Sequence, residues 1–167
     1  MPSSPETVAF LREVRLFKDV AVPELTVLAS SLRERALKRG QVLIREGDVG
    51  DEMFLLRRGS MVISKSVTGR VEQVLARIGP GDFFGEMALF DRSPRSATVQ
   101  TDSDSSLLVL DREGLRQLTE ESPRAAAAFF HALVQVFIER LRASGDLVAE
   151  VTRWGLEATG LDVESRS

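Results

Sequence analysis

The residues best suited to chemistry lie in one segment, Pro80 to Val99, which reads Pro-Gly-Asp-Phe-Phe-Gly-Glu-Met-Ala-Leu-Phe-Asp-Arg-Ser-Pro-Arg-Ser-Ala-Thr-Val. Gly85 permits a tight turn and lets another group approach the backbone closely. Residues 86–90 can then form one helical turn. Its first N–H groups have no partner within the helix, so they are available to an anion.

Three side chains of this segment suggest the ligand. Arg95 can present a planar fork of donors to a phosphate, and Ser96 adds a hydroxyl and an N–H group. The carboxylate of Glu86 is unsuited to phosphate but suits paired sugar hydroxyls, so the set indicates a ribose-phosphate site. Alternatively, Glu86 complements a helix dipole and Arg95 pairs with Asp91 or Asp102.

Composition excludes several other kinds of site. The 167 residues include no Cys and one His, so the chain offers no disulfide, thiolate zinc site or multi-histidine metal site. A catalytic triad would depend on His131, and we expect neither catalytic nor metal-binding residues. The net charge of −3 argues against binding nucleic acid or an anionic membrane surface. No apolar run approaches the ~20 residues that span a bilayer, and no signal peptide is evident, so the expected location is cytoplasmic.

Apolar periodicity divides the chain into four parts. Residues 1–35 are predicted to be a helical segment, in which Thr7 caps one helix and Pro23 begins another. Residues 36–111 contain short apolar runs separated by glycines, a pattern typical of an antiparallel barrel or sandwich. Residues 112–160 are predicted to be helical again, and residues 161–167 form a tail.

The last long helix is predicted to start at Ser122-Pro123 and to end near Thr159-Gly160. Its apolar residues follow a spacing of 4 and 3, which is the seam of a two-helix coiled coil. Either the helix packs on its own barrel or it pairs with a second copy; we expect the first half to cover the barrel and the second half to form a homodimer. Trp154 is either a lid over a purine base or a dimer residue. The seam comprises Phe130, Val134, Phe137, Leu141, Ser144, Val148 and Val151.

The residues 84–89 and 94–99 closely resemble the phosphate-binding cassette of cyclic nucleotide-binding domains, and we call residues 84–99 the cassette. The glycine pattern elsewhere, including Gly47-Asp48-Val49-Gly50-Asp51 and Gly79-Pro80-Gly81-Asp82, is also similar to that family. The resemblance covers residues 8–148. It implies an α+β fold, namely an eight-stranded antiparallel β-roll with N-terminal helices and a long C-terminal helix.

The resemblance also implies roles for individual residues. Glu86 matches the glutamate that accepts hydrogen bonds from the ribose 2′-hydroxyl, Arg95 matches the arginine that pairs with the cyclic phosphate, and Ser96 matches a further phosphate donor. Gly85, Met87, Ala88 and Ala97 would contribute backbone groups. Ile63, Leu75, Ala76 and Phe84 would wall the pocket.

The expected function is that of a stand-alone cyclic nucleotide sensor. Only 21 residues follow Asp146, too few for a winged helix, so we expect no output domain and an unknown downstream protein partner. The alternatives are a ligand-free interaction domain of the same fold and a phosphodiesterase, which would need metal ligands or a base near the phosphate. The ligand is expected to be cyclic AMP, with cyclic GMP as the other candidate and no cofactor.

Two serines favour cyclic AMP. Ser144 aligns with a hydroxyl that contacts adenine in the activator branch of the family, although it could instead be a polar seam residue that sets helix register. Ser96 stands where a threonine would favour cyclic GMP in the channel branch.

Overall fold

The computed structural model describes residues 4–158, and within them eight strands form two four-stranded sheets that accompany four α-helices. The α-helices are α1 (Pro5–Glu13), α2 (Val22–Ser30), α3 (Arg112–Glu121) and α4 (Pro123–Ala158). The strands are β1 (Arg33–Leu37), β2 (Val42–Ile44), β3 (Glu52–Arg58), β4 (Met61–Ser66), β5 (Glu72–Ile78), β6 (Phe83–Phe84), β7 (Thr98–Thr101) and β8 (Ser105–Asp111). Short 3-10 helices cover Arg15–Phe17 and Glu86–Leu89.

The two sheets have the strand orders β1-β8-β3-β6 and β2-β7-β4-β5, and every pairing is antiparallel. This confirms the predicted α+β class and the eight-stranded antiparallel roll. Neighbouring strands are mostly distant in sequence. The order therefore brings β6, which leads into the cassette, alongside β3, with Phe54 opposite Phe84.

The core contains side chains from both sheets, and β3 contributes a continuous buried run to it. Residues 53–56 of β3 are all buried, so this strand lacks the alternation of a half-exposed strand. The shared apolar cluster comprises Ile44, Phe54, Leu56, Met61, Ile78, Phe84, Val99, Leu107 and Val109.

The N-terminal helices differ from the prediction at two points. Ser4, not Thr7, caps α1: its hydroxyl accepts a hydrogen bond from the Thr7 N–H at 3.2 Å, while Thr7 is fully buried within the helix. The predicted helical stretch is also wrong at its end, because α2 ends at Ser30 and β1 follows. The predicted boundary between residues 35 and 36 therefore falls inside β1.

The pattern of apolar runs did not predict two of the strands, and each omission has a physical reason. β1 lies at a sheet edge and has the sequence Arg-Glu-Arg-Ala-Leu, with side chains that are exposed or partly exposed, so it has no apolar run. β6 contains only two residues, which is too short to show a period.

The chain divides into two compact units after Phe129. In the first unit, the rings of Phe17 and Phe129 lie 6.3 Å apart. In the second unit, every described side chain of residues 138–154 is exposed. The predicted helix end at Thr159-Gly160 and the tail at 161–167 lie outside the described residues.

Candidate functional site

The turn that opens the cassette helix depends on Gly85. Its φ of 76° places it in the left-handed region, and Glu86–Leu89 follow as a single 3-10 turn, one residue shorter than the predicted 86–90 turn. A Cβ atom at this position would also lie 2.9 Å from Arg95 Nη1 and 3.0 Å from the carbonyl oxygen of Glu52. Glycine is therefore required both by the backbone conformation and by the close approach of neighbouring groups.

Arg95 is held in place through its backbone and its side chain. Its N–H donates to the carbonyl of Asp48 at 2.7 Å, and its own carbonyl accepts from the Gly47 N–H at 2.8 Å. The guanidinium donates from Nη2 to the Glu52 carbonyl at 2.9 Å and from Nη1 to the Gly85 carbonyl at 3.3 Å. These bonds bring the arginine back to the turn that precedes it by ten residues.

The charge of this guanidinium lies in a partly buried, acidic neighbourhood. Burial lowers the pKa of Arg95, while the carboxylates of Glu52, Asp51 and Glu86 raise it. Arginine nevertheless stays protonated in proteins, so the site keeps one fixed positive charge. The side chain of Glu86 is itself buried, with 4% of its surface exposed.

Glu52 connects the site to the edge strand β1. Its carboxylate accepts two hydrogen bonds from Arg35, at 2.6 and 3.0 Å, and a longer one of 3.4 Å from Arg33. The hydrogen bond with Glu52 raises the pKa of Arg35. The Arg35 guanidinium also lies 5.7 Å from the centre of the Phe54 ring, which stacks on Phe84 at 5.3 Å. The strand end whose carbonyl receives Arg95 is thus fixed by a bidentate ion pair and an aromatic stack.

Arg112, the first residue of α3, holds the other end of the cassette helix. Its guanidinium donates to the carbonyls of Ala88, Leu89 and Asp91 at 2.7, 3.3 and 3.4 Å. Its backbone N–H donates to the carbonyl of Asp51 at 3.0 Å. One residue therefore ties the cassette helix to the loop before β3.

Sequence reasoning missed these supporting residues. Every residue carries a backbone carbonyl, so a hydrogen bond to such a carbonyl cannot be predicted from the residue type of the acceptor. The one available signal was Arg112, because a cation in the first turn of a helix opposes the helix dipole and therefore needs another partner.

The predicted wall residues lie on both sheets. Ile63 of β4 is opposite Ala76 of β5, and a register shift beside this pair leaves Leu75 without a partner residue in the ladder. Leu75 and Ala76 are exposed, Ile63 is partly buried and Phe84 is buried. Their role as pocket walls stays a prediction.

The remaining predicted site residues differ in exposure. Met87 and Ser96 are exposed, whereas Ala88 is buried and Ala97 is partly buried. Ser144 lies on α4 in the second unit, where its side chain is exposed, and its contact with a base stays a prediction.

Among residues 4–158, no group of three or more His, Cys, Asp or Glu side chains is placed to hold a metal ion. None of the helices in this range is long and apolar enough to cross a membrane.

Comparison with known proteins agrees with this geometry. The profile of the cyclic nucleotide-binding domain matches residues 34–122. The cyclic AMP receptor protein of Thermus thermophilus is 33% identical over 127 residues, which cover 76% of this chain and 57% of that protein. A cyclic nucleotide-gated potassium channel of Mesorhizobium japonicum is 39% identical over 116 residues, which cover 70% of this chain and 31% of the channel.

A solved structure extends the similarity to the backbone. The crystal structure of the Thermus thermophilus catabolite activator protein matches with a TM-score of 0.73 and 30% identity, covering 83% of this chain and 63% of that one. The chain therefore belongs to the cyclic nucleotide-binding domain family. It spans less than two thirds of the length of each of these three relatives.

The bonds of Arg112 predict a measurable contribution to stability. Arg112→Met keeps the aliphatic stem but leaves the carbonyls of Ala88 and Leu89 without their charged donor, so the free energy of unfolding should fall by about 1–3 kcal/mol. Urea denaturation measures this change. Arg116→Met is the matched control, because Arg116 pairs with Glu113 and Glu120 on the exposed face of the same helix, and its loss should change the free energy of unfolding much less. Equal losses in the two variants would contradict the role given to Arg112.

Proposed function

We propose that this chain binds a cyclic nucleotide through the cassette. Arg95 pairs with the cyclic phosphate, Ser96 donates a further hydrogen bond to it, and Glu86 accepts a hydrogen bond from the ribose 2′-hydroxyl. The observation that carries the proposal is the guanidinium of Arg95, held against the turn at Gly85 immediately before Glu86. Family membership supports the same assignment.

The remaining contacts of the proposal come from the backbone and the pocket walls. Gly85, Met87, Ala88 and Ala97 contribute backbone groups to the ligand. Ile63, Leu75, Ala76 and Phe84 form the walls.

The chemistry of the ligand accounts for the placement of opposite charges in one small site. A cyclic phosphodiester carries a single negative charge, which a guanidinium fork binds through charge-assisted hydrogen bonds. A carboxylate repels that phosphate, so Glu86 must face the ribose, whose free 2′-hydroxyl is a donor. Because both side chains are at least partly buried, the interactions with the ligand are stronger than they would be at an open surface.

Removing the fork should weaken nucleotide binding strongly. Arg95→Ala deletes charge-assisted hydrogen bonds that contribute about 2–4 kcal/mol. The affinity for cyclic AMP, measured by calorimetry, should therefore fall roughly 30- to 1,000-fold.

The control is Arg92→Ala, which removes the same charge from an exposed position on the same loop. We expect its affinity to stay within about threefold of wild type, since an exposed charge contributes little. Equal affinities of wild type and Arg95→Ala would contradict the assignment. Failure of the wild type to bind either nucleotide would instead favour a ligand-free interaction domain.

The preferred nucleotide is proposed to be cyclic AMP. This proposal is supported by the similarity to the cyclic AMP receptor protein of Thermus thermophilus and by the serine, rather than threonine, at position 96. The two nucleotides share ribose and phosphate, so Arg95 and Glu86 cannot distinguish them, and selectivity must come from groups that contact the base.

Competition titrations test this preference. Cyclic AMP should displace a fluorescent analogue at a lower concentration than cyclic GMP does. The Ser144→Ala variant should lose more affinity for cyclic AMP than for cyclic GMP. Displacement by cyclic GMP at the lower concentration would make the preference wrong while leaving the cassette assignment intact.

We also propose that α4 pairs with a second copy of the chain. The helix is 36 residues long, and its seam continues through exposed apolar side chains, including Leu141 at 74% exposure. Val148 and Val151 continue the same seam at 65% and 59% exposure. A row of exposed apolar residues with heptad spacing is the pattern of a coiled-coil interface.

A charge placed on the seam should separate the two copies. Leu141→Glu would bury an unpaired carboxylate in the interface, so light scattering should report a monomer where wild type is a dimer. Ala143→Glu adds the same charge on the opposite side of the helix and should leave the dimer intact. A wild-type monomer at high protein concentration would end the proposal.

Signalling would then proceed by a change in the arrangement of α4. A ligand can shift such an equilibrium only as far as its affinities for the two arrangements differ. The signal would be passed on when a downstream protein binds one of the two arrangements of α4.

A further inference from the structure

Gly50, in the loop between β2 and β3, is a glycine whose own backbone does not require it. Its φ lies outside the left-handed range occupied by Gly47, Gly81 and Gly85, so alanine could adopt the same backbone conformation. What excludes a side chain is its surroundings. A Cβ atom at Gly50 would lie 2.6 Å from Nη2, 2.8 Å from Nε and 3.0 Å from Cζ of Arg95, which are the three nearest atoms.

We propose that Gly50 is a positioning residue for nucleotide binding, because the absence of its side chain lets the Arg95 guanidinium lie in the orientation that receives the phosphate. The inference rests on the proposed function of Arg95. Three elements surround the guanidinium of Arg95, namely Gly50 and the backbone carbonyls of Glu52 and Gly85. We call these three elements together the seat.

The seat leaves donors for a ligand. A guanidinium has five N–H donors, and two of them donate to the Glu52 and Gly85 carbonyls. The other three can bond phosphate oxygens while the first two keep the fork in place. A fork that is already oriented loses less side-chain entropy when the nucleotide binds, so the seat contributes to affinity through preorganisation.

The consequence of filling the seat follows from what would have to move. The atoms nearest to a new Cβ belong to the far end of a flexible side chain, not to the backbone. The guanidinium would therefore shift and its two carbonyl bonds would lengthen, while the fold stays intact. Binding, not stability, is the property that should change.

The test compares Gly50→Ala with Gly79→Ala by calorimetry with cyclic AMP. Gly79 also has a φ outside the left-handed range, and a Cβ there would meet only the Asp82 carboxylate, at 4.0 Å. Gly50→Ala should bind cyclic AMP about 10- to 100-fold more weakly than wild type, the loss expected for one charge-assisted bond. Gly79→Ala should bind like wild type, and both variants should keep the wild-type urea midpoint.

Two readouts separate positioning from a general structural effect. In an Arg95→Ala background, adding Gly50→Ala should cause no further loss of affinity, because the group that the seat orients is gone. The fold-loss on changing the ligand to 2′-deoxy cyclic AMP should be the same in Gly50→Ala as in wild type, because this loss reports the ribose contact. Additive losses in the double variant, or an unfolded Gly50→Ala protein, would overturn the inference.

A measurement without nucleotide distinguishes this inference from the proposed function. The side-chain Nε–H resonance of Arg95 should shift in ligand-free Gly50→Ala and not in Gly79→Ala. An unchanged resonance would overturn the seat even if wild type binds cyclic AMP. A wild type that binds no cyclic nucleotide would refute the proposed function, and the resonance would still report on the seat.

Discussion

A single partly buried guanidinium organises the candidate site. Arg95 has to be kept charged, positioned and only partly satisfied by protein groups, and the fold achieves this with two backbone carbonyls, those of Glu52 and Gly85. Carbonyl oxygens hold a cation by hydrogen bonding without neutralising it, whereas a direct carboxylate partner would compete with an anionic ligand. The nearby carboxylates raise the pKa of Arg95 against the effect of burial, but its guanidinium donates its hydrogen bonds to the backbone oxygens of Glu52 and Gly85.

The rest of the first unit can be understood as support for those two carbonyls. The carbonyl of Glu52 stands at the start of β3, and the side chain of the same residue is fixed by Arg35. The carbonyl of Gly85 is oriented by a left-handed turn, and the 3-10 helix beyond it is held at its far end by Arg112. The backbone N–H of Arg112 also donates to the carbonyl of Asp51, so a displacement of the cassette would also displace α3 and the loop before β3. This connectivity links the cassette to α3 and to the loop before β3 through one side chain and one backbone group.

The long helix raises a different question, which is how a polypeptide keeps so much apolar surface exposed. Residues 141, 148, 151 and 154 are each more than half exposed, which is unusual for a row of large apolar side chains on one helix. A second copy of the chain would bury them without any change to the cassette. The apolar seam residues Leu141, Val148 and Val151 lie outside the cassette, so variants at these positions test the proposed self-association separately from phosphate binding, whereas Ser144 belongs to both proposals.

The sequence alone determined the class of fold and pointed to the central residues of the candidate site, because the motif that carries the resemblance is local in the chain. Glycine-punctuated apolar runs indicate an antiparallel barrel or sandwich, and the resemblance to the family narrows this to a roll. Gly85, Glu86 and Arg95 are close enough in the chain to be recognised by type and spacing. The edge strand β1 and the two-residue strand β6 escaped recognition, since one is highly charged and the other is too short for a period. Only the tertiary structure revealed the residues that hold Arg95 in place. Glu52 is 43 residues from Arg95, and Gly50 owes its importance to a side chain from another part of the chain. The partners of Arg95 are backbone carbonyls, which every residue carries, so no residue type could reveal them before the strands were placed side by side.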